Sequence, residues 1–164
     1  MSLKVGVIGL GPMGGNIAGN LLKKGFDVVG YDIKPECMDA LDELGLEKAS
    51  SATEVSERAE LLACSLPNAS SLQTVIAAVL EHPKPGQIML ECSTLNVADK
   101  LAAHEKFSDG GKVLLDAPIS GTPPMLVNMV ASIYVSGDEA AYEKCVPVLE
   151  GFTATNFYCG EVGN

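Results

Sequence analysis

The chain has 164 residues, enough for one domain with a sizeable core, and with 47% hydrophobic and 20% charged residues it is globular rather than disordered. Its 11 basic and 21 acidic side chains leave a formal net charge of -10, which argues against nucleic acid as a partner, because a phosphate backbone calls for a basic face. No apolar run of the roughly 18 residues that a membrane span needs is present, and apolar sequence begins right after Met1-Ser2, so no membrane association and a cytoplasmic location are expected.

Leu3 to Ile8 is apolar, rich in β-branched residues and too short for a helix, so it reads as a strand. Gly9-Leu10-Gly11-Pro12-Met13-Gly14 follows with GxGxxG spacing. From Pro12 to Lys24 the pattern is helical, with Ile17 and Leu21 flanked by Ala18 and Leu22, and Gly25 stops it. In such a strand, turn and helix, Gly9 permits the turn, Gly11 lets the backbone approach a pyrophosphate, and Gly14 lets the helix pack closely on the strand. The helix start then presents free N–H groups and a positive dipole end to phosphates. A glycine-rich surface turn gives the same letters, so the second half of the signal matters. Val28 to Tyr31 reads as the next strand, and Asp32 closes it 23 positions after Gly9. A carboxylate there can accept hydrogen bonds from the ribose hydroxyls of NAD. Backbone N–H groups can hold a pyrophosphate despite the acidic chain, so dinucleotide binding is expected.

Further along, Pro35 to Leu44 reads as a short helix, and Thr53 to Arg58 as another, opened by Ser51 or Thr53. Leu61 to Leu66 is a strand of the kind buried on both faces, ended by Pro67-Asn68. A helix from Ser71 to Leu80, a break at Pro83-Lys84-Pro85-Gly86 and a strand from Gln87 to Glu91 follow. A helix over Asn96 to Phe107 and a strand from Lys112 to Leu115 lead into Asp116-Ala117-Pro118. Ser120 to Asn128 is a loop or short helix, Ala131 to Val135 a strand, Asp138 to Leu149 a helix and Thr155 to Tyr158 a last strand. Alternating strand and helix predict an α/β fold, a doubly wound, mostly parallel sheet with helices on both faces and ligands at the carboxyl ends of the strands.

Three of those ends carry small polar residues. Leu66, Pro67 and Asn68 can line the diphosphate and ribose, or be an ordinary turn. Ser93 and Thr94 can bond the nicotinamide ribose or carboxamide, or cap the next helix. Ser120, Gly121 and Thr122 offer N–H groups and hydroxyls to a small carboxylate, or form a plain turn. His82, beside a Pro-rich turn, and His104, mid-helix beside Lys100 and Glu105, read as solvated. Met125, Leu126, Met129 and Val130 read as packing, and Glu36, Asp39, Asp42 and Glu43 as a solvated helix face. Cys37, Cys64, Cys92, Cys145 and Cys159 are odd in number and scattered, so they read as reduced thiols, with no metal site expected.

The opening VGVIGLGPMGGNIAGNLLKKG, with Glu91-Cys92-Ser93-Thr94 and Asp116-Ala117-Pro118-Ile119-Ser120-Gly121, resembles the β-hydroxyacid dehydrogenases along the whole chain. The resemblance implies a Rossmann domain over 1–164 and hydride transfer between NAD, or NADP, and a small 3-hydroxy acid or semialdehyde. It assigns cofactor contacts to the glycine turn, Asp32, Leu66-Pro67-Asn68 and Thr94, and substrate binding to Ser120, Gly121 and Thr122. It also implies a general acid/base lysine on a later helix, an all-helical second domain and a homo-oligomeric parent. The closing run Cys159 to Asn164 resembles the stretch just before that lysine, so the 164 residues alone are expected to be inactive. Thr122, Met125 and Met129 stand where the family usually has glycine, and Val97 replaces a common proline. Asp32-Ile33, in place of the Asn-Arg of many NADP-using relatives, favours NAD, tempered by Lys34. A stand-alone nucleotide-binding regulatory module is the alternative, and a methyltransferase on a similar sheet is a weaker third.

Overall fold

The computed structural model describes residues 3–163. Met1 and Ser2, and Asn164 at the end of the run noted above, lie outside the described residues. The elements are β1 (Lys4–Ile8), α1 (Pro12–Lys23), β2 (Asp27–Tyr31), α2 (Pro35–Asp39), β3 (Glu47–Lys48), α3 (Ala52–Arg58), β4 (Leu61–Cys64) and α4 (Ala69–Leu80). They continue with β5 (Ile88–Glu91), α5 (Val97–Asp109), β6 (Val113–Asp116), β7 (Ile119–Ser120), α6 (Pro123–Val127), β8 (Ser132–Val135), α7 (Glu139–Phe152) and β9 (Thr155–Tyr158). Six strands form a parallel sheet in the order β3-β2-β1-β4-β5-β6. Chain direction across the sheet reverses between β1 and β4, and that is where doubly wound sheets open a crevice. A smaller sheet, β7-β8-β9, pairs β7 with β8 antiparallel and β8 with β9 parallel. An antiparallel bridge between Asp116 and Ser136 joins it to the large sheet.

The central strands are largely apolar because both faces are covered. Val5, Val7, Leu61, Ala63, Leu90 and Leu115 pack with Ile17, Leu21, Val148 and Phe152 of α1 and α7. The alternate positions Ile8, Leu62, Met89 and Leu114 pack with Val55, Ile76 and Phe107 of α3, α4 and α5. Period-two alternation thus sends successive residues to two cores rather than to one core and water.

Several sequence expectations are corrected. The helix expected over 35–44 breaks into α2 and a 3₁₀ turn at Asp42–Leu44, ended by Gly45 at φ +92°. The Lys48 ammonium pairs with Asp39 and Asp42 there, at 2.6 and 2.7 Å, so those acids are partnered and not merely solvated. Strand β3, unexpected from its two charged residues, pairs with Val29 and Gly30 at the sheet edge. Ser51, not Thr53, caps α3, and Thr53 instead donates to the Ala78 carbonyl. Asn96, not Ser93 or Thr94, caps α5. Ser120 lies in β7 rather than in a loop. His104 is half-buried, with Nδ1 at 3.2 Å from the Leu114 carbonyl oxygen. Lys100, one turn earlier on the same helix, is 4% exposed. Of the residues expected to pack around α6, Leu126 is buried but Met125 and Val130 are exposed. Cys64, Cys92 and Cys145 are buried thiols.

Lys112 is a second buried ammonium. It donates to the Ser56 hydroxyl, the Val79 carbonyl and the Gln87 amide oxygen at 2.8 to 3.1 Å, all neutral acceptors. Burial first, and the Lys84 ammonium second, push it down from 10.5 to about 8. Between those values the unfolded chain binds more protons than the folded one, so stability should rise with pH from about 8 to about 10.5. Denaturant midpoints across that range should show the rise in the parent chain and lack it in Lys112→Met.

Candidate cofactor and substrate cleft

The segments after β4 and β5, the start of α1 and the stretch from β7 into α6 converge on a cleft of about 430 Å³. Its lining includes Met13, Leu66, Pro67, Cys92, Ser93, Thr94, Ile119, Gly121 and Thr122. Met13, Leu66, Pro67, Thr94, Gly121 and Thr122 of the expected site residues therefore come together. Gly9, Leu10, Gly11, Pro12 and Gly14 form the turn leading into Met13. Ser120 precedes the lining residue Gly121 on β7. Asn68 is engaged otherwise: its side chain caps α4 by accepting the Ser71 N–H at 2.8 Å.

The glycine turn divides its labour. Gly9 has φ +87°, a conformation that side chains disfavour. A Cβ on Gly14 would lie 1.8 Å from the Gly9 carbonyl oxygen, so only glycine lets α1 approach the strand end. Gly11 is different. A Cβ there would meet no protein atom within 4 Å, and its φ of -69° suits any residue. Nothing inside the protein demands glycine at that position, and the open space in front of it fits a pyrophosphate held against the backbone. Among the described residues no side chain caps α1, whose first N–H groups lack intrahelical partners. A dinucleotide thus has a cradle and donors.

Asp32, just after β2, is held from both sides. One oxygen accepts the Leu10 N–H at 2.7 Å and the other the Lys34 N–H at 2.8 Å. These bonds aim the carboxylate while leaving each oxygen capacity for another donor. Across the cleft, the Ser93 hydroxyl accepts the Leu66 N–H at 2.8 Å, tying the loop after β4 to the loop after β5. Burial, and then the neighbouring Glu91 carboxylate, push the Cys64 and Cys92 thiols well up. Both stay protonated, so Cys92 in the cleft wall is no nucleophile. Groups of three or more potential metal ligands are absent among the described residues, and no helix there is long and apolar enough to cross a membrane.

Sequence reasoning passed over two charged residues beside this cleft. Glu91, fully buried at the end of β5, and Asp116, at the end of β6, both pair with the Lys100 ammonium. A signal was present: Lys100 falls on the stripe of α5 that carries Ala103 and Phe107, at i, i+3 and i+7.

Residues 4–160 match the family model for the NAD-binding domain of 6-phosphogluconate dehydrogenase. The mouse mitochondrial 3-hydroxyisobutyrate dehydrogenase is 32% identical over 97% of this chain and 48% of its own length. The NAD-dependent L-serine dehydrogenase of Pseudomonas aeruginosa is 31% identical over 98% of this chain and 55% of its own. The 3-hydroxyisobutyrate dehydrogenase of Mycobacterium tuberculosis, solved with L-serine, superposes with a TM-score of 0.95 at 28% identity, over 99% of this chain and 56% of that one. The chain thus spans about half the length of the curated relatives it matches. With the parallel sheet order, the glycine turn and these matches together, the chain belongs to the NAD-binding domain family of 6-phosphogluconate dehydrogenase.

Proposed function

We propose that the chain is the cofactor half of an oxidoreductase that moves a hydride between NAD and a small 3-hydroxy acid or semialdehyde. The observation that carries this reading is the empty protein environment around Gly11, beside an uncapped helix start and a doubly held Asp32. Gly9, Leu10, Gly11, Pro12, Met13 and Gly14 hold the pyrophosphate, Asp32 the adenosine ribose, and Leu66, Pro67 and Thr94 the nicotinamide side. Asn68 fixes the start of α4 through its side-chain oxygen, which leaves its amide NH2 to donate to the cofactor. When bound, the nicotinamide supplies the hydride acceptor or donor. Ser120, Gly121 and Thr122 orient the substrate carboxylate through a hydroxyl and backbone N–H groups on the far wall.

None of the cleft residues is a ready proton carrier: its lining holds no His, Lys, Asp or Glu. The proton that accompanies the hydride is therefore assigned to the lysine that the family resemblance implies on a later helix. Exposed Met125, Val127, Val130 and the stacked Tyr134–Phe157 pair are the kind of apolar surface that a further domain covers. The test is to express the open reading frame containing this chain and to follow NAD reduction at ~340 nm, the nicotinamide absorbance used to assay hydride transfer, with a panel of short 3-hydroxy acids. The longer protein should turn over at least about a hundredfold faster than the 164 residues alone, the least that a general acid/base contributes. A frame that stops at Asn164, or a longer protein inert on every hydroxy acid, favours the stand-alone regulatory module.

A further inference from the structure

Behind the nicotinamide side of the cleft lies a buried charge cluster that the cofactor reading leaves unexplained. Lys100 reaches from α5 to the ends of two strands. Its ammonium pairs with the Glu91 carboxylate, lies 3.3 Å from the Glu91 carbonyl oxygen and donates to Asp116 Oδ1 at 2.7 Å. Lys100 and Glu91 are 4% and 0% exposed. Withdrawing two charges from water at one place, beside a third only partly withdrawn, is costly, and apolar side chains of similar size would pack there with less penalty. The cluster therefore calls for a reason other than stability.

The hydrogen bonds leaving it supply one. Glu91 Oε1 accepts the Ser93 N–H at 2.9 Å, and Ser93 Oγ in turn accepts the Leu66 N–H at 2.8 Å. On the other side, Asp116 exchanges backbone hydrogen bonds with Ser136 at 3.0 and 2.8 Å, and the Ala117 N–H meets the Glu91 carbonyl at 2.9 Å. The loops after β4, β5 and β6 are thus strung from one ammonium, and the first two line the cleft. Burial alone would pull the Lys100 ammonium down, but the two carboxylates outweigh it and hold it up, so the ammonium stays charged throughout the neutral range.

We propose that Lys100 and Glu91 are positioning residues for the nicotinamide end of the cofactor: the Lys100–Glu91–Asp116 cluster fixes Ser93, Thr94 and Leu66 at the spacing that this end requires. The inference rests on the proposed cofactor reading. It separates two halves of one ligand, because the glycine turn and Asp32 lie outside the cluster's hydrogen bonds and hold the ADP-ribose portion without it.

The experiment compares the affinities of the chain for NADH and for ADP-ribose, with the emission of bound NADH as a report on the nicotinamide environment. Two variants are used. Lys100→Met removes the ammonium, and Lys100→Met with Glu91→Leu removes the buried charge pair, so that the one carboxylate left, Asp116, is the partly exposed one while the Ser93 N–H loses its acceptor. In both, NADH should bind about tenfold more weakly and lose its emission enhancement, while ADP-ribose affinity stays within about twofold, the gap being roughly 1.4 kcal/mol confined to the nicotinamide half. Unchanged NADH affinity and emission in both variants overturns the inference. So does an equal loss of both ligands, including through failure to fold, which would make the cluster a matter of structure alone. If the parent chain binds neither NADH nor ADP-ribose, the cofactor reading falls and the inference with it.

Discussion

Gly14→Ala is expected to destabilise the chain severely, whereas Gly11→Ala, three residues earlier in the same turn, should leave the fold intact and lose the cofactor. The Gly14 Cβ would sit 1.8 Å from a backbone oxygen that belongs to the turn itself, so no side-chain rotation relieves the clash. A backbone shift at that point costs on the order of 4 kcal/mol or more, in the range reserved for strained sites and core disruption. At roughly 2–4 °C per kcal/mol for a chain of this size, the melting temperature should fall by about 10 °C or more. The Gly11 methyl meets no protein atom. Its stability cost is that of a poorer helix cap, about 1 kcal/mol. It would, however, occupy the space through which the backbone approaches the pyrophosphate, and NADH affinity should drop at least about tenfold. Thermal melts and NADH titrations of the two variants check this, and a Gly11→Ala chain that binds NADH like its parent would contradict it.

Asp32→Ala should erase the discrimination between the two nicotinamide cofactors. The carboxylate is locked by the Leu10 and Lys34 N–H groups, so its direction is set before any ligand arrives. Hydrogen bonds from the ribose hydroxyls to a carboxylate held in this way are of the charged type, worth roughly 1.5–3 kcal/mol. Their loss corresponds to about ten- to a hundredfold weaker NADH binding. NADPH should be affected little or gain, because the negative charge facing its 2'-phosphate is gone while the nearby Lys34 remains. An NADH to NADPH affinity ratio that does not move in the variant would remove Asp32 from the site.

The parts of this molecule that could be read from the chain are those where one physical demand dictates the residue type. Strands buried on two faces need largely apolar runs, so β1, β4 and β6 stand out, and the turn after β1 needs glycine at two places for steric reasons. Thr155–Tyr158 likewise emerges as β9 at the expected bounds. Where the demand is spread over distant partners, the local pattern is silent. Strand β3 consists of Glu47 and Lys48, whose side chains are held by Lys4, Arg58, Asp39 and Asp42 rather than by any apolar face. The break after α2 follows from Lys48 drawing Asp39 and Asp42 together, a pairing invisible within the segment itself.

The cleft shows the same division. The polar strand ends were legible because the topology forces them together, but the alternatives left open at each end depended on hydrogen bonds made elsewhere. Asn96 takes the cap of α5, which frees Ser93 to hold Leu66, and the Asn68 side-chain oxygen caps α4. Lys100 reads as a solvated helix residue when only its neighbours His104 and Glu105 are considered. Its burial follows from two carboxylates, one 9 and one 16 residues away in the chain, that converge only once β5 and β6 pair.

On the proposed reading these residues form a nicotinamide dinucleotide site that prefers NAD. Calorimetric titration of the unmodified chain with NADH and with NADPH, at one salt concentration, tests it most directly. The expected result is saturable 1:1 binding of NADH, with NADPH weaker by about tenfold or more, the scale of one lost carboxylate–hydroxyl interaction. No binding of either cofactor, or NADPH binding as tightly as NADH, would contradict it.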